Sequence, residues 1–223
     1  MTGPSSWWCA VGGLALALLA ACAGRPVVDW QLTSKAAIDR SVAAYLSGDS
    51  ALAAQQFELA RREVVRTGRA DLLARIELIG CAARVASLQY EACEGFEKLR
   101  HEAPAPERAY ADFLAARLRP QDIDLLPQPQ QALAVAGSSP DVAAQLQRIE
   151  DPFSRLVAAA VLLESGRADP AAMQTAVDTA SAQGWRRPLL AWLSVQALRA
   201  EKAGAHDEAE RLRKRIGLVQ DSN

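Results

Sequence analysis

Gly48-Asp49-Ser50-Ala51-Leu52-Ala53-Ala54-Gln55-Gln56-Phe57-Glu58-Leu59-Ala60 reads as the turn and second helix of a helical hairpin. Gly48 stands where a preceding helix stops, because glycine accepts the left-handed conformation that ends many helices. A small side chain at Ala53 lets the two helices approach closely. Phe57 fills the gap toward the next hairpin, and Ala60 permits close packing at the far end. The same offsets return along the chain. Ser87 is followed by Ala92, Phe96 and Leu99, 39 residues on. Gly166 with Ala171 and Gly204 with Ala209 continue the rhythm more faintly. The turn points 48, 87, 166 and 204 fit a period near 39, with one turn missing near Pro127.

The remaining sequence agrees with helix. Ala and Leu dominate, Thr and Ile are scarce, and no period-two alternation is sustained. Ser139-Pro140, Asp151-Pro152 and Asp169-Pro170 each set a capping side chain before a proline, which suits the first helical position because its missing N–H would be unpaired there anyway. Gly68, Gly166, Gly184 and Gly204 mark helix stops. Helices are expected near 34–47, 50–66, 70–86, 89–102, 107–118, 130–136, 140–149, 152–165, 170–183, 188–203 and 206–216. Their short spacers imply antiparallel neighbours. The expected fold class is all-α, an α-solenoid of antiparallel helical hairpins, with an ordinary helical bundle as the alternative. Residues 33–218 form the helical domain, with two hairpins over 33–102, an irregular proline-rich middle over 103–140, C-terminal helices over 141–218 and a tail at 219–223.

The Gly48–Ala60 stretch resembles the second half of a tetratricopeptide repeat. The resemblance covers residues 34–100 best, and its period is longer than the family's ~34 residues. It implies stacked hairpins whose first helices line a concave face. In this register that face holds Lys35, Val42, Tyr45, Glu77, Cys81, Arg84, Glu164 and Glu201. Mixed apolar and charged side chains there suit an extended peptide or a partner helix.

A second resemblance lies at the N-terminal end. Leu19-Ala20-Ala21-Cys22 follows an uncharged apolar run from Trp7 to Leu18 and resembles a bacterial lipobox. That run fits the ~7–15 residues of a signal h-region and falls short of the ~20 that span a bilayer. The resemblance implies a signal peptide over 1–21, cleavage between Ala21 and Cys22, lipid on Cys22 and a tether over 22–32. With Ala23 next, it implies an outer-membrane lipoprotein facing the periplasm. More than one acyl chain is needed for stable anchoring.

The 25 basic and 26 acidic residues nearly cancel, which argues against non-specific nucleic-acid binding and against electrostatic docking on anionic lipid. With Cys9 in the leader and Cys22 lipidated, Cys81 and Cys93 remain. They flank an expected turn, and either a disulfide between antiparallel helices or two buried thiols would account for them. Catalytic patterns are scarce. His101 and His206 lack neighbours at metal-ligand spacing, so no metal site is expected. The surroundings of Cys81 are apolar, which raises a thiol pKa. Aromatic residues make up only 5% of the chain, few for a sugar cleft. No cofactor is expected beyond the lipid.

Trp185, Arg186, Arg187, Pro188 and Trp192 form a second candidate surface, with Trp192 assigned to the core. Arg211, Arg213, Lys214 and Arg215 are expected to complement the dipole at the end of the last helix. The expectation is therefore a non-enzymatic periplasmic adaptor that holds a segment of another envelope protein. The rivals are a peptidoglycan hydrolase or its activator, and a self-associating structural lipoprotein.

Overall fold

The computed structural model describes residues 29–135 and 142–221. Every regular element among them is helical: α1 (Asp29–Ser47), α2 (Ser50–Val65), α3 (Ala70–Ala86), α4 (Glu94–Glu97), α5 (Ala105–Leu114), a 3-10 helix (Pro120–Leu125), α6 (Gln128–Val135), α7 (Val142–Gln147), α8 (Pro152–Glu164), α9 (Pro170–Ala182), α10 (Arg186–Lys202) and α11 (His206–Gln220). No helix among the described residues is long and apolar enough to cross a membrane. Ala21 and Cys22, like Ser139 and Pro140, lie outside the described residues.

Local chemistry sets the helix starts. The carboxylates of Asp49, Asp151 and Asp169 accept from the backbone N–H groups of Leu52, Ser154 and Ala172 at 2.9, 2.7 and 2.6 Å. Pro152 and Pro170 follow at the first helical position. The stops share one geometry. At the end of α1, Gly48 (φ +102°) donates to the Tyr45 carbonyl and Asp49 to that of Ala44, closing the last turn in a Schellman motif. The same closure ends α3 at Leu88 (φ +60°) and α5 at Ala116 (φ +53°), where no glycine is present.

The first hairpin packs as its small residues require. Ser41 Oγ donates to the Ala53 carbonyl at 2.8 Å and Ser34 Oγ to the Ala60 carbonyl at 3.3 Å, so the backbones of α1 and α2 meet at both alanines. The Phe57 ring rests on α3 at Gly80, where a Cβ would lie 2.8 Å from the ring. A small core of Ala37, Ile38, Ala60, Val64 and Ile76 joins α1, α2 and α3. The main core centres on α8, whose residues Leu156 to Leu162 are all buried. A helix without a polar face belongs inside, and α3 and α9 cover it.

Several boundaries differ from the sequence expectation. The expected helix 89–102 is reduced to the single turn of α4. One local break and two ties override helix propensity there: the left-handed Leu88 ends α3, a disulfide holds Cys93, and the Tyr90 hydroxyl donates to the Ala160 carbonyl of α8 at 2.9 Å. Residues 29–32, assigned to the tether, are helical. Asp29 lies in the first turn of α1, and Trp30 packs on the small core. Helix α11 runs to Gln220, so Arg211, Arg213, Lys214 and Arg215 lie inside it rather than at its end. Arg211, Arg213 and Lys214 pair with Glu208, Glu201 and Glu210 instead. The middle segment uses its prolines as helix starters: Pro104 and Pro106 for α5, Pro120 for the 3-10 helix, Pro127 and Pro129 for α6.

The two ends of the domain meet. A linear repeat array gives each unit contact only with its neighbours. Here α3 packs on α8, and α10 packs on α1. Trp192 of α10 is fully buried and its indole N–H donates to the Ala86 carbonyl of α3 at 3.3 Å.

Candidate binding site

The helices that begin the expected hairpins do not line one open face. Helix α3 packs on α1 and α8, and α10 on α1, so much of that face is interior. The expected groove residues separate accordingly. Val42, Tyr45 and Arg84 come together. Lys35 is exposed and pairs with Asp39 at 2.7 Å, one turn along α1. Glu77 is largely buried, and its carboxylate accepts from Arg61 Nε at 2.6 Å. It also packs so closely on α4 that Gly95 has no room for a Cβ. Glu201 is engaged by Arg213 of α11, and Glu164 lies on the wall of a different cavity.

Val42, Tyr45 and Arg84 line a cavity of about 250 Å³ between α1, α2 and α3. The small residues Ala53, Ala54, Gly80 and Ala83 leave the space open, and Phe57 and Ser41 line it as well. The Tyr45 hydroxyl donates to Gln89 Oε1 at 2.7 Å. Burial raises the Tyr45 phenol above its usual range, while the nearby Arg187 and Arg84 pull against that rise. Arg84 Nη2 donates to Cys81 Sγ at 3.0 Å.

That sulfur is bonded to Cys93, with Cα atoms 5.8 Å apart. The link does not join two antiparallel helices. It ties α3 to the non-helical segment before α4, because Cys93 is the capping residue just ahead of α4.

A larger cavity of about 730 Å³ lies beside the disulfide, walled by Tyr90, Cys93, Arg100, Arg117 and Glu164. Arg100 bridges Glu97 and Asp112 at 2.7 and 3.2 Å. The hydrogen bond from Arg100 holds the Glu97 carboxyl below its ordinary value. Glu97, Arg100 and Asp112 therefore satisfy one another, and half of the cavity's charged side chains are paired in this way. Among the described residues, no group of three or more His, Cys, Asp or Glu side chains could hold a metal.

Comparisons of the chain with known protein families, with curated proteins and with solved structures find no match. The region Trp185 to Trp192 contributes one residue that the groove register left out. Arg187 of α10 reaches the cavity wall, with Nε donating to the Tyr45 carbonyl at 2.7 Å and Nη2 to Ser50 Oγ at 2.7 Å. Its neighbours have other roles. Arg186 donates to the Gln220 carbonyl at 2.9 Å, and Pro188 and Trp192 are core. No signal in the sequence sets Arg187 beside Tyr45, since the two are 142 residues apart.

Proposed function

We propose that this chain is a non-catalytic adaptor of the bacterial envelope, held at the periplasmic face of the outer membrane by lipid on Cys22. Its helical domain binds a segment of another envelope protein. The observation that carries this reading is the open apolar cavity of α1, α2 and α3, where Val42, Tyr45 and Arg84 converge. The small side chains of Ala53, Ala54, Gly80 and Ala83 hold that space open. On this reading the Phe57–Gly80 contact is a tetratricopeptide-like hairpin junction. The period near 39 then records hairpins that fold back on themselves instead of extending as a solenoid.

The test is affinity capture of the full chain from envelope fractions, with the mass of its N-terminal peptide measured in parallel. A diacylglyceryl-modified Cys22 and one dominant protein partner, lost in the Tyr45→Ala, Arg84→Ala double variant, are expected. An unmodified N-terminus would overturn the anchoring. Capture of no protein above background by the lipidated chain would overturn the adaptor.

A further inference from the structure

The cavity of α1, α2 and α3 has an uneven wall. Most of its lining is apolar, formed by Val42, Phe57 and small residues, while Arg84 brings positive charge to it. Arg84 is half-buried there, and its hydrogen bond to Cys81 Sγ uses one of its five N–H donors. Arg187 adds a second guanidinium at Tyr45 and Ser50. Among the described residues neither arginine forms an ion pair. The acid that acts on Tyr45 is Glu91, an exposed residue on the wall of the neighbouring cavity. Half-buried cations beside an apolar surface favour an incoming anion, which regains in the complex what the guanidinium loses in hydration.

The volume decides what brings that anion. At about 250 Å³ the space is smaller than the ~300–1,000 Å³ typical of small-molecule sites, and it suits a single large side chain. We propose that the cavity takes one large apolar side chain of a partner polypeptide, with an Asp or Glu of the same segment, within two residues or one helical turn, paired to Arg84 and Arg187. Apolar anchors fix the depth of such a segment, and the acid fixes its register. This inference rests on the adaptor reading of the same site.

The experiment introduces a photo-crosslinking amino acid at Ala54, an exposed residue of the cavity wall, in the full chain in living cells. A second position, the exposed Leu198 of α10, is the control. The crosslinked segment is then mapped by mass spectrometry. The expected result is a protein segment joined at Ala54 with a Leu, Ile, Met or Phe next to an acidic residue. Arg84→Gln should reduce its yield about tenfold. Replacing the partner's acid by Lys should abolish the crosslink, and pairing it with Arg84→Glu should restore it. Circular dichroism establishes that each variant is folded. A mapped segment without an acid, or a fatty-acid adduct, overturns the inference and leaves the adaptor reading standing. Protein crosslinks only at Leu198 move the adaptor surface elsewhere and also overturn it. No protein crosslink at either position removes both.

Discussion

The guanidinium carbon of Arg187 lies 4.3 Å from the centre of the Tyr45 ring, stacking the start of α10 on the end of α1. The same group donates to the Tyr45 carbonyl, one of the backbone acceptors that the end of a helix exposes. Arg187→Ala removes a cation–π contact and two hydrogen bonds, so a loss of about 2 kcal/mol is expected. Arg187→Lys keeps the charge but not the planar fork, and should recover less than half of it. Urea melts of the three proteins measure this. Equal stability of Arg187→Ala and the parent would show that the contact of Arg187 with Tyr45 does not hold α10 on α1.

The Cys81–Cys93 disulfide closes a loop with a sequence separation of 12. For a loop of this length the cross-link restricts the unfolded chain by roughly 3 kcal/mol at most. Cys93→Ala, or reduction of the parent, should lower the unfolding free energy by about 2–3 kcal/mol. Denaturant titration with and without reductant checks it. The reductant should leave Cys93→Ala unchanged.

Ala116 ends α5 in the left-handed region, where a Cβ costs roughly 1–2 kcal/mol. Glycine removes that strain but gives up some entropy on folding, so Ala116→Gly should stabilise the domain by about 0.5–1 kcal/mol. Leu88 has the same φ sign and both side chains pack on the main core, but Leu88→Gly removes a whole isobutyl group where Ala116→Gly removes one methyl, so Leu88→Gly should bring no gain. A thermal melt that ranks the two variants in the reverse order would count against this account of the helix ends.

All three tyrosines resist ionisation. Burial raises the phenols of Tyr45, Tyr90 and Tyr110 above the ordinary 10.0. The unfolded chain therefore loses phenolic protons first as pH rises. Each group's full contribution is present below pH 10.0 and is lost above it, over the range up to its raised native value. Stability should thus fall steadily above that pH. The phenolate absorbance of Tyr90 and Tyr110 should appear together with the loss of helical circular dichroism. Ionisation of both in a still-helical protein would contradict their burial.

Much of the helical layout was legible because its signals are local. Asp49, Asp151 and Asp169 cap the helices they precede, and Ala53, Phe57 and Ala60 face where their spacing says. Misreadings arose where distant contacts decide. Nothing near residues 89–93 reveals that Tyr90 bonds to α8 or that Leu88 takes a glycine's conformation. The run Leu156–Leu162 held a clue, since seven successive apolar residues give a helix no solvent face and mark it as central rather than as one layer of an open stack. Of the candidate site, Val42, Tyr45 and Arg84 follow from hairpin register. Lys35, Glu77, Glu164 and Glu201 do not, because that register assumes one open face, whereas α3 packs on both α1 and α8 and the four residues end up in separate places.

The meeting of α1 with α10 also bears on how the chain acquires its shape. A stack of independent hairpins can fold from one end as it emerges from a ribosome or a secretion channel. Here Tyr45 must wait for Arg187, and Ala86 for Trp192, so the first helices cannot complete their packing until nearly all of the chain is present. Such long-range closure slows folding and makes it an all-or-none event. Until α10 arrives, the apolar faces of α1 and α3 stay exposed, which makes the incomplete chain prone to association through them.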